Sequence, residues 1–392
     1  MIFQRKIHQK IKKHLNVKQV IVITGLRRVG KTTILKQLLS EIKSGNKIYF
    51  DLEKISDREI FDQKNYDNVI LDLEKRGIDI KKKIYLAIDE IQFLPNITSV
   101  IKYLYDHYNI KFLVTGSSSY YLKNLFTQSL AGRKIVFELF PLDFGEFLIF
   151  KEIPYKNLNS FEQSFSASEY ERLKNHYEEF INFGGFPEVV LAKNTILKKE
   201  LLNDIISSYV NIDIKSLSDF RKDKEIYNLI KMLAARIGTR IDYNKLASLT
   251  GLNRHTVEEY LNFFEKTYLI SRIPVYSHNT DREIVKAQKV YFCDNGLVDI
   301  LAENSGGAKF ENAFFQQIRQ LGDVRYYALK NGKEIDFVLN KKIALETKES
   351  PTKIDQNNLA RLSKIAGIKK GSLVGRKNVP GFKDYLWGGD VK

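Results

Sequence analysis

The feature that most constrains this chain is GLRRVGKT, Gly25 to Thr32, which follows the apolar run QVIVIT and opens a helical pattern. The spacing G-x-x-x-x-G-K-[ST] between a buried strand and a helix is that of a phosphate loop. Backbone N–H groups close around phosphate oxygens, and the helix N-terminus adds positive dipole. In this pattern Lys31 reaches the β- and γ-phosphates and Thr32 offers its hydroxyl to Mg²⁺. Gly25, Arg28, Val29, Gly30 and Thr33 complete the cradle. The side chains of Arg27 and Arg28 read more readily as solvated than as phosphate contacts.

Further strand-length apolar runs, KIYFDL, IYLAIDE and KFLVTGS, alternate with helix-like stretches. Apolar strands alternating with helices argue for a parallel sheet covered on both faces. IYLAIDE ends in Asp89 and Glu90, at the strand end where ligands of open sheets gather. Asp89 is expected to hold Mg²⁺ through water, and Glu90 to orient or deprotonate an attacking water. Ser117, after the third run, is either a γ-phosphate or water contact or part of a simple turn. Arg133, in LAGRKIVF, is either a finger that meets transition-state charge, in cis or across a subunit interface, or a surface ion pair.

At 392 residues the chain suits two or three domains, and a 43% hydrophobic content is ample for packed cores. Lys and Arg number 63 against 47 Asp and Glu, and the resulting +16 favours a polyanionic partner, nucleic acid first. The single cysteine, Cys293, excludes an internal disulfide or a cysteine-based zinc site. Charges interrupt every long apolar run, and the basic N-terminus reads as an amphipathic helix rather than a signal peptide. A cytoplasmic protein without a membrane segment is expected.

The runs GLRRVGKTTIL, FDLE, LAIDEIQ, TGSSS, LAGR, PLDFGEFL and GGFPEVV together resemble a broad family of prokaryotic AAA-type ATPases. SYVNIDI, FCDNGL, FENAFF and GKEIDFVL resemble the domain of unknown function usually fused to them. The resemblance covers nearly all the chain and implies ATP and Mg²⁺ as cofactors.

Two elements point toward nucleic acid. LASLTGLNRHTVEEYLNFFEK has a short helix, a turn at Gly251 and a second amphipathic helix, with ISRIPVYS able to supply the strand of a wing. In a winged helix-turn-helix, Asn253, Arg254 and His255 would reach bases, although Asn253 also suits an N-cap and Glu258 and Glu259 repel phosphate. Near the C-terminus Asp336 lies in EIDFVL, and Glu346 and Lys348 share a face of the next strand, IALETK. Two carboxylates there could hold a divalent ion, with Glu311 on the preceding helix and Lys348 assisting. The set resembles the PD-(D/E)xK nuclease core, and an ion cluster without chemistry is the alternative.

The expected fold is α/β: a P-loop AAA-type ATPase core over 1–155 and a helical lid or linker over 156–215. A winged helix-turn-helix over 216–290 and a restriction-endonuclease-like domain over 291–392 follow. Two functions fit. One is an ATPase acting on or with DNA. The other is a nucleotide-gated scaffold or regulator that binds protein partners, its nuclease-like domain inactive. An oligomer through Arg133 is compatible with both.

Overall fold

The computed structural model describes residues 3–116, 130–155, 161, 164–214 and 223–391. The chain divides into two compact units, Met1–Phe140 with Lys266–Tyr268, and Pro141–Glu265 with Leu269–Lys392. Among the described residues no helix is long and apolar enough to cross a membrane.

The first unit is built on five parallel strands in the order β2-β3-β4-β1-β5. They are β1 (Val20–Gly25), β2 (Lys47–Asp51), β3 (Ile84–Asp89), β4 (Ile110–Gly116) and β5 (Lys134–Leu139). β1 and β4 are buried along their whole length, because alternate residues face opposite layers and both layers are apolar. Val20 and Val22 join Leu86, Phe112 and Val114 in one core layer. That layer is closed by α3 (Ile55–Phe61), α4 (Asp67–Lys75) and α5 (Ile97–His107), through residues such as Phe61, Leu73 and Leu104. On the opposite face run α1 (Lys6–Lys12) and α2 (Lys31–Glu41), with Ile11, Leu35 and Leu38 excluded from solvent. Parallel strands put every C-terminal strand end on one edge, and the sequence-predicted phosphate loop leaves β1 there.

The second unit begins inside the segment read from sequence as ATPase core. Helix Phe144–Phe150 belongs to it because its aromatic face is buried there. Phe144 packs 4.8 Å from Tyr177, Phe147 lies 5.7 Å from Phe180, and Tyr177 lies 5.4 Å from Trp387, ring centre to ring centre. Helix Tyr243–Thr250 ends at Gly251, and helix Arg254–Lys266 follows after a short turn. β6 (Ile270–Ile273) pairs antiparallel with β7 (Lys289–Phe292). The second sheet has the order β12-β11-β10-β9-β8. Its strands are β8 (Val324–Ala328), β9 (Glu334–Leu339), β10 (Ile343–Lys348), β11 (Lys370–Gly375) and β12 (Leu386–Trp387). β8, β9 and β10 are antiparallel neighbours, whereas β10, β11 and β12 run parallel. The β9–β10 turn is tight, with Asn340 and Lys341 at positive φ. Asn340 stabilises it by accepting from Asp323 N at 2.9 Å.

Two of the segments that carry the family resemblance, GGFPEVV and FCDNGL, meet through Asp294. Its buried carboxylate accepts from Gly185 N at 2.6 Å and Gly296 N at 2.8 Å. Burial pushes this carboxyl up to about 6, against the pull of those backbone donors. The residues tie two helices of one core, so their role is architectural.

Candidate nucleotide site and a second carboxylate cluster

The loop Leu26–Gly30 joins β1 to α2. Gly25 has no room for a side chain: a Cβ there would stand 2.1 Å from Leu139 O on β5. Gly30 caps α2 at φ 95°, a left-handed conformation that glycine adopts without strain. Arg28 also has positive φ, at 63°, which is uncommon for a residue with a side chain. Lys31 is 4% exposed, and its ammonium donates to Gly25 O at 3.2 Å and Leu26 O at 2.9 Å. Val29 is buried, Thr32 half-buried and Thr33 exposed.

Sheet order brings β3 and β1 to either side of β4, so Asp89 lies on the same edge as the loop. Asp89 is 2% exposed. Its carboxylate accepts from the Tyr49 hydroxyl at 2.9 Å and from the Thr115 hydroxyl. Thr115 Oγ1 also accepts from Glu90 N at 3.1 Å, so one threonine joins both acidic residues. Burial, and then the Asp89 charge, hold the Tyr49 hydroxyl far above its ordinary pKa, which keeps it a donor. Glu90 stands at φ 52°, and its carboxylate accepts from Gln92 Nε2. Ser117 lies outside the described residues. Tyr49 and Thr115 were not singled out from sequence. Thr115 is wholly buried, and its role comes from the pairing of β4 with β3.

Arg133, read from sequence as either a finger or a surface ion pair, forms an ion pair within this chain. Its carbonyl accepts from Val20 N at 2.8 Å, at the start of β1, whereas the loop leaves the strand's end. Five strand rises, about 17 Å, separate those ends. Its guanidinium instead pairs with Asp106 at 3.0 Å on the surface.

The second unit holds the other predicted carboxylates, and Lys289 stands among them. It is 2% exposed, with its ammonium 2.9 Å from Glu334 Oε1, 3.5 Å from Glu311 Oε1 and 3.9 Å from Asp336 Oδ1. Burial opposes the charge on Lys289, but Glu311, Asp336 and Glu334 outweigh it and hold its pKa above the usual lysine value. Asp336 Oδ2 accepts from Thr347 N at 2.9 Å and Thr347 Oγ1 at 2.7 Å. Glu346 pairs with Lys348 at 2.7 Å and accepts from Asp336 N at 3.2 Å. Arg240 pairs with Glu334 at 2.8 Å, and the Tyr291 hydroxyl donates to Glu311 at 2.6 Å. Burial and then Asp336 push Glu311 up to about 8 and Glu346 up to about 7.

Glu311, Asp336, Glu346 and Lys348 are therefore brought to one region of the second unit. Among the described residues no group of three or more His, Cys, Asp or Glu side chains is arranged to hold a metal ion. Lys289, which was not singled out from sequence, stands among these carboxylates. Its ammonium supplies the positive charge that a divalent cation would otherwise bring.

The three residues predicted to read bases are exposed but engaged. Asn253 Oδ1 caps its helix by accepting from Thr256 N at 2.8 Å. Arg254 pairs with Glu258 at 2.9 Å, and His255 lies 3.5 Å from Glu259. A cleft beside Arg254 is also lined by Arg240, Asp242, Asn244, Lys286 and Gln288.

Sheet, loop and acidic strand end together define the first unit as a P-loop AAA-type ATPase domain. A family model described as an AAA domain matches residues 17–148, and one described as a domain of unknown function (DUF8612) matches residues 174–307. The uncharacterized protein MJ1544 of Methanocaldococcus jannaschii is 30% identical over 348 residues, 85% of this chain and 75% of that protein. An uncharacterized protein of Haemophilus influenzae is 25% identical over 354 residues, 87% of this chain and 84% of that one. The chain belongs to this family of AAA-domain proteins. The structure of the Aeropyrum pernix ORC1 protein in complex with DNA overlaps 78% of this chain and 93% of that chain, with 12% identity and a TM-score of 0.32. So loose an overlap adds nothing to the family match.

Proposed function

We propose that the chain is an Mg²⁺-dependent ATPase whose second unit engages DNA without cutting it. The observation that carries the ATPase reading is the strand edge itself: Lys31, Asp89 and Glu90 are gathered beside a loop whose first glycine leaves no space for a side chain. Its polar groups suit a nucleotide triphosphate and its metal. Thr32 and Asp89 would hold Mg²⁺, which when bound supplies charge neutralisation at the phosphates. Lys31 would place its ammonium on the phosphate oxygens. Glu90 would orient the attacking water and take its proton, positioned by the bond from its N–H to Thr115.

ATP turnover by purified protein tests this. Wild type is expected to hydrolyse ATP only with Mg²⁺, Lys31→Ala to bind ATP weakly, and Glu90→Gln to bind it but turn it over slowly. Unchanged hydrolysis in either variant overturns the reading.

For the second unit, the helix-turn-helix with β6 and β7 reads as a winged helix, and the β8–β12 sheet as a restriction-endonuclease-like domain. The buried Lys289 favours a non-cutting domain, because the carboxylates that would ligate a metal are already matched by Lys289, Lys348 and Arg240. DNA is the proposed partner, on the strength of the +16 net charge and the cleft where Arg240, Arg254 and Lys286 outnumber Asp242. Binding should weaken as salt rises, and Arg254→Ala should flatten that dependence. Metal-dependent cleavage of any single- or double-stranded substrate, lost in Lys348→Ala, would overturn the non-cutting reading. A protein partner bound with salt-independent affinity would favour a regulator instead.

A further inference from the structure

The basic N-terminal segment reads from sequence as an amphipathic surface helix, yet Arg5 is 5% exposed. It stands at the N-cap of α1 and its side chain is turned inward. One terminal nitrogen donates to Val29 O, in the phosphate loop, at 2.9 Å. The other donates to Phe140 O, just past β5, at 2.8 Å. The guanidinium is a rigid, permanently charged fork, so it can span two fixed carbonyls where a lysine satisfies them one at a time.

These bonds govern which way the loop presents its donors. A trans peptide is planar, with C=O and the following N–H pointing in opposite directions. Holding Val29 O against Arg5 on the outside turns Gly30 N–H to the other side, toward the hollow of the loop. The loop's first residue is fixed from the same strand, because Gly25 is packed against Leu139 O. Leu139–Phe140 and Arg5 thus hold both ends of the loop. α1 is itself tied to α2 by an ion pair, Lys12 Nζ lying 2.8 Å from Glu41 Oε2, and His8 Nε2 lies 3.1 Å from Glu41 Oε1. Ile11 is wholly buried between them.

We propose that Arg5 is a positioning residue that presets the phosphate loop for ATP by anchoring the Val29 carbonyl, so that nucleotide affinity is set in part from outside the motif. The proposal rests on the ATPase reading above for its ligand, but not for the clamp. Losing a charge-assisted bond and the order it imposes corresponds to about a tenfold change in affinity.

The experiment compares full-length wild type, Arg5→Met, Arg5→Lys and His8→Gln. Arg5→Met keeps the stem and removes the donors, whereas His8→Gln loosens α1 without touching the loop. For Arg5→Met, KM and the equilibrium Kd for ATP should rise about tenfold while kcat stays within about twofold. Arg5→Lys should fall between, and His8→Gln should bind within about twofold of wild type. Amide exchange at Val29, Gly30 and Lys31, measured without nucleotide, should quicken in Arg5→Met and not in His8→Gln. Wild-type affinity in Arg5→Met overturns the proposal, as does an equal loss in His8→Gln. Should Arg5→Met not fold, wild-type affinity and exchange in Arg5→Lys would overturn it equally. A wild type that binds no ATP removes the ATPase reading instead, and the clamp then stands or falls on the exchange rates.

Discussion

The carboxylates at the first unit's strand edge and those of the second unit's cluster are partnered in opposite ways. Asp89 in the first unit accepts from two neutral hydroxyls, Tyr49 and Thr115. Hydrogen bonds of this kind orient an anion and leave its charge in place, so the strand edge retains its attraction for a cation. In the second unit Glu334, Asp336 and Glu346 lie beside ammonium and guanidinium groups, and Glu311 is held near neutrality by burial. That cluster is complete within itself. On the reading proposed above, aspartates and glutamates of similar sequence setting lead to a ligand site in one unit and a structural ion network in the other. The difference lies in what the neighbouring strands contribute.

The largest effect should come from removing the charge that is matched by no ion pair among the described residues. Asp89→Asn keeps size and hydrogen-bonding capacity and deletes the anion. Turnover of ATP is expected to fall at least ~10²-fold, on the scale of losing one pre-organised electrostatic group in an active site. The dependence on Mg²⁺ should weaken with it. A steady-state assay across Mg²⁺ concentration checks both, and near-normal turnover in Asp89→Asn would erase the contrast between the clusters.

Next in size is the converse change, Lys289→Met. It leaves the second cluster without its central cation, and breaking a buried pair of this kind destabilises by about 3–5 kcal/mol. Urea unfolding should show that loss, and Glu334→Gln in the same chain should recover part of it. A change below about 1 kcal/mol would mean that Lys289 is a bystander.

What was legible in the sequence was local. The phosphate loop and Asp89–Glu90 are each written in a few consecutive residues on a strand end, so they could be read as a candidate site before any pairing was known. Asn253 as an N-cap belongs to the same class. Tyr49 and Thr115 could not be found this way, because their meaning comes from β2 and β4 flanking β3. Arg133 stayed open between a finger and a surface ion pair, since a Gly-Arg step carries no information about register. Lys289 lies 22 residues before Glu311 in an apolar run, and only the meeting of β7 with the second sheet's carboxylates reveals it. Arg5 was absorbed into a generally basic segment for the same reason. A side chain that works through a distant carbonyl leaves no local mark.

Titration should separate the clusters more gently. Glu311 and Glu346 have folded-state pKa values raised to about 8 and about 7 from an ordinary 4.5. Between 4.5 and those values the folded chain binds more protons than the unfolded one, so stability falls as pH rises. The slope is steepest between about pH 5 and 7, where both groups act, continues to about 8 through Glu311, and cannot exceed about 1.4 kcal/mol per pH unit per carboxyl. Lys289 and Lys348 are raised in the same sense, which keeps them charged throughout this window. Glu311→Gln should remove the part of the slope above pH 7 and leave most of the rest to Glu346. A pH series of urea midpoints checks this, and a stability that rises from pH 5 to 8 would contradict the assignment of both groups.

The smallest effect is expected at Arg133. Its pair with Asp106 is half-exposed, with about a third of each side chain open to water, and exposed pairs of this kind contribute about 0–1 kcal/mol. Because Arg133 sits at the opposite end of β1 from the loop, Arg133→Ala should leave single-chain ATP turnover within about twofold of wild type. The informative variable is protein concentration. If turnover per chain is independent of concentration in wild type and unchanged by Arg133→Ala, the residue is a surface ion pair and nothing more. If turnover rises with concentration and Arg133→Ala abolishes that rise, Arg133 meets a neighbouring chain's nucleotide, and the strand edge that looks remote within one subunit becomes part of a second subunit's site.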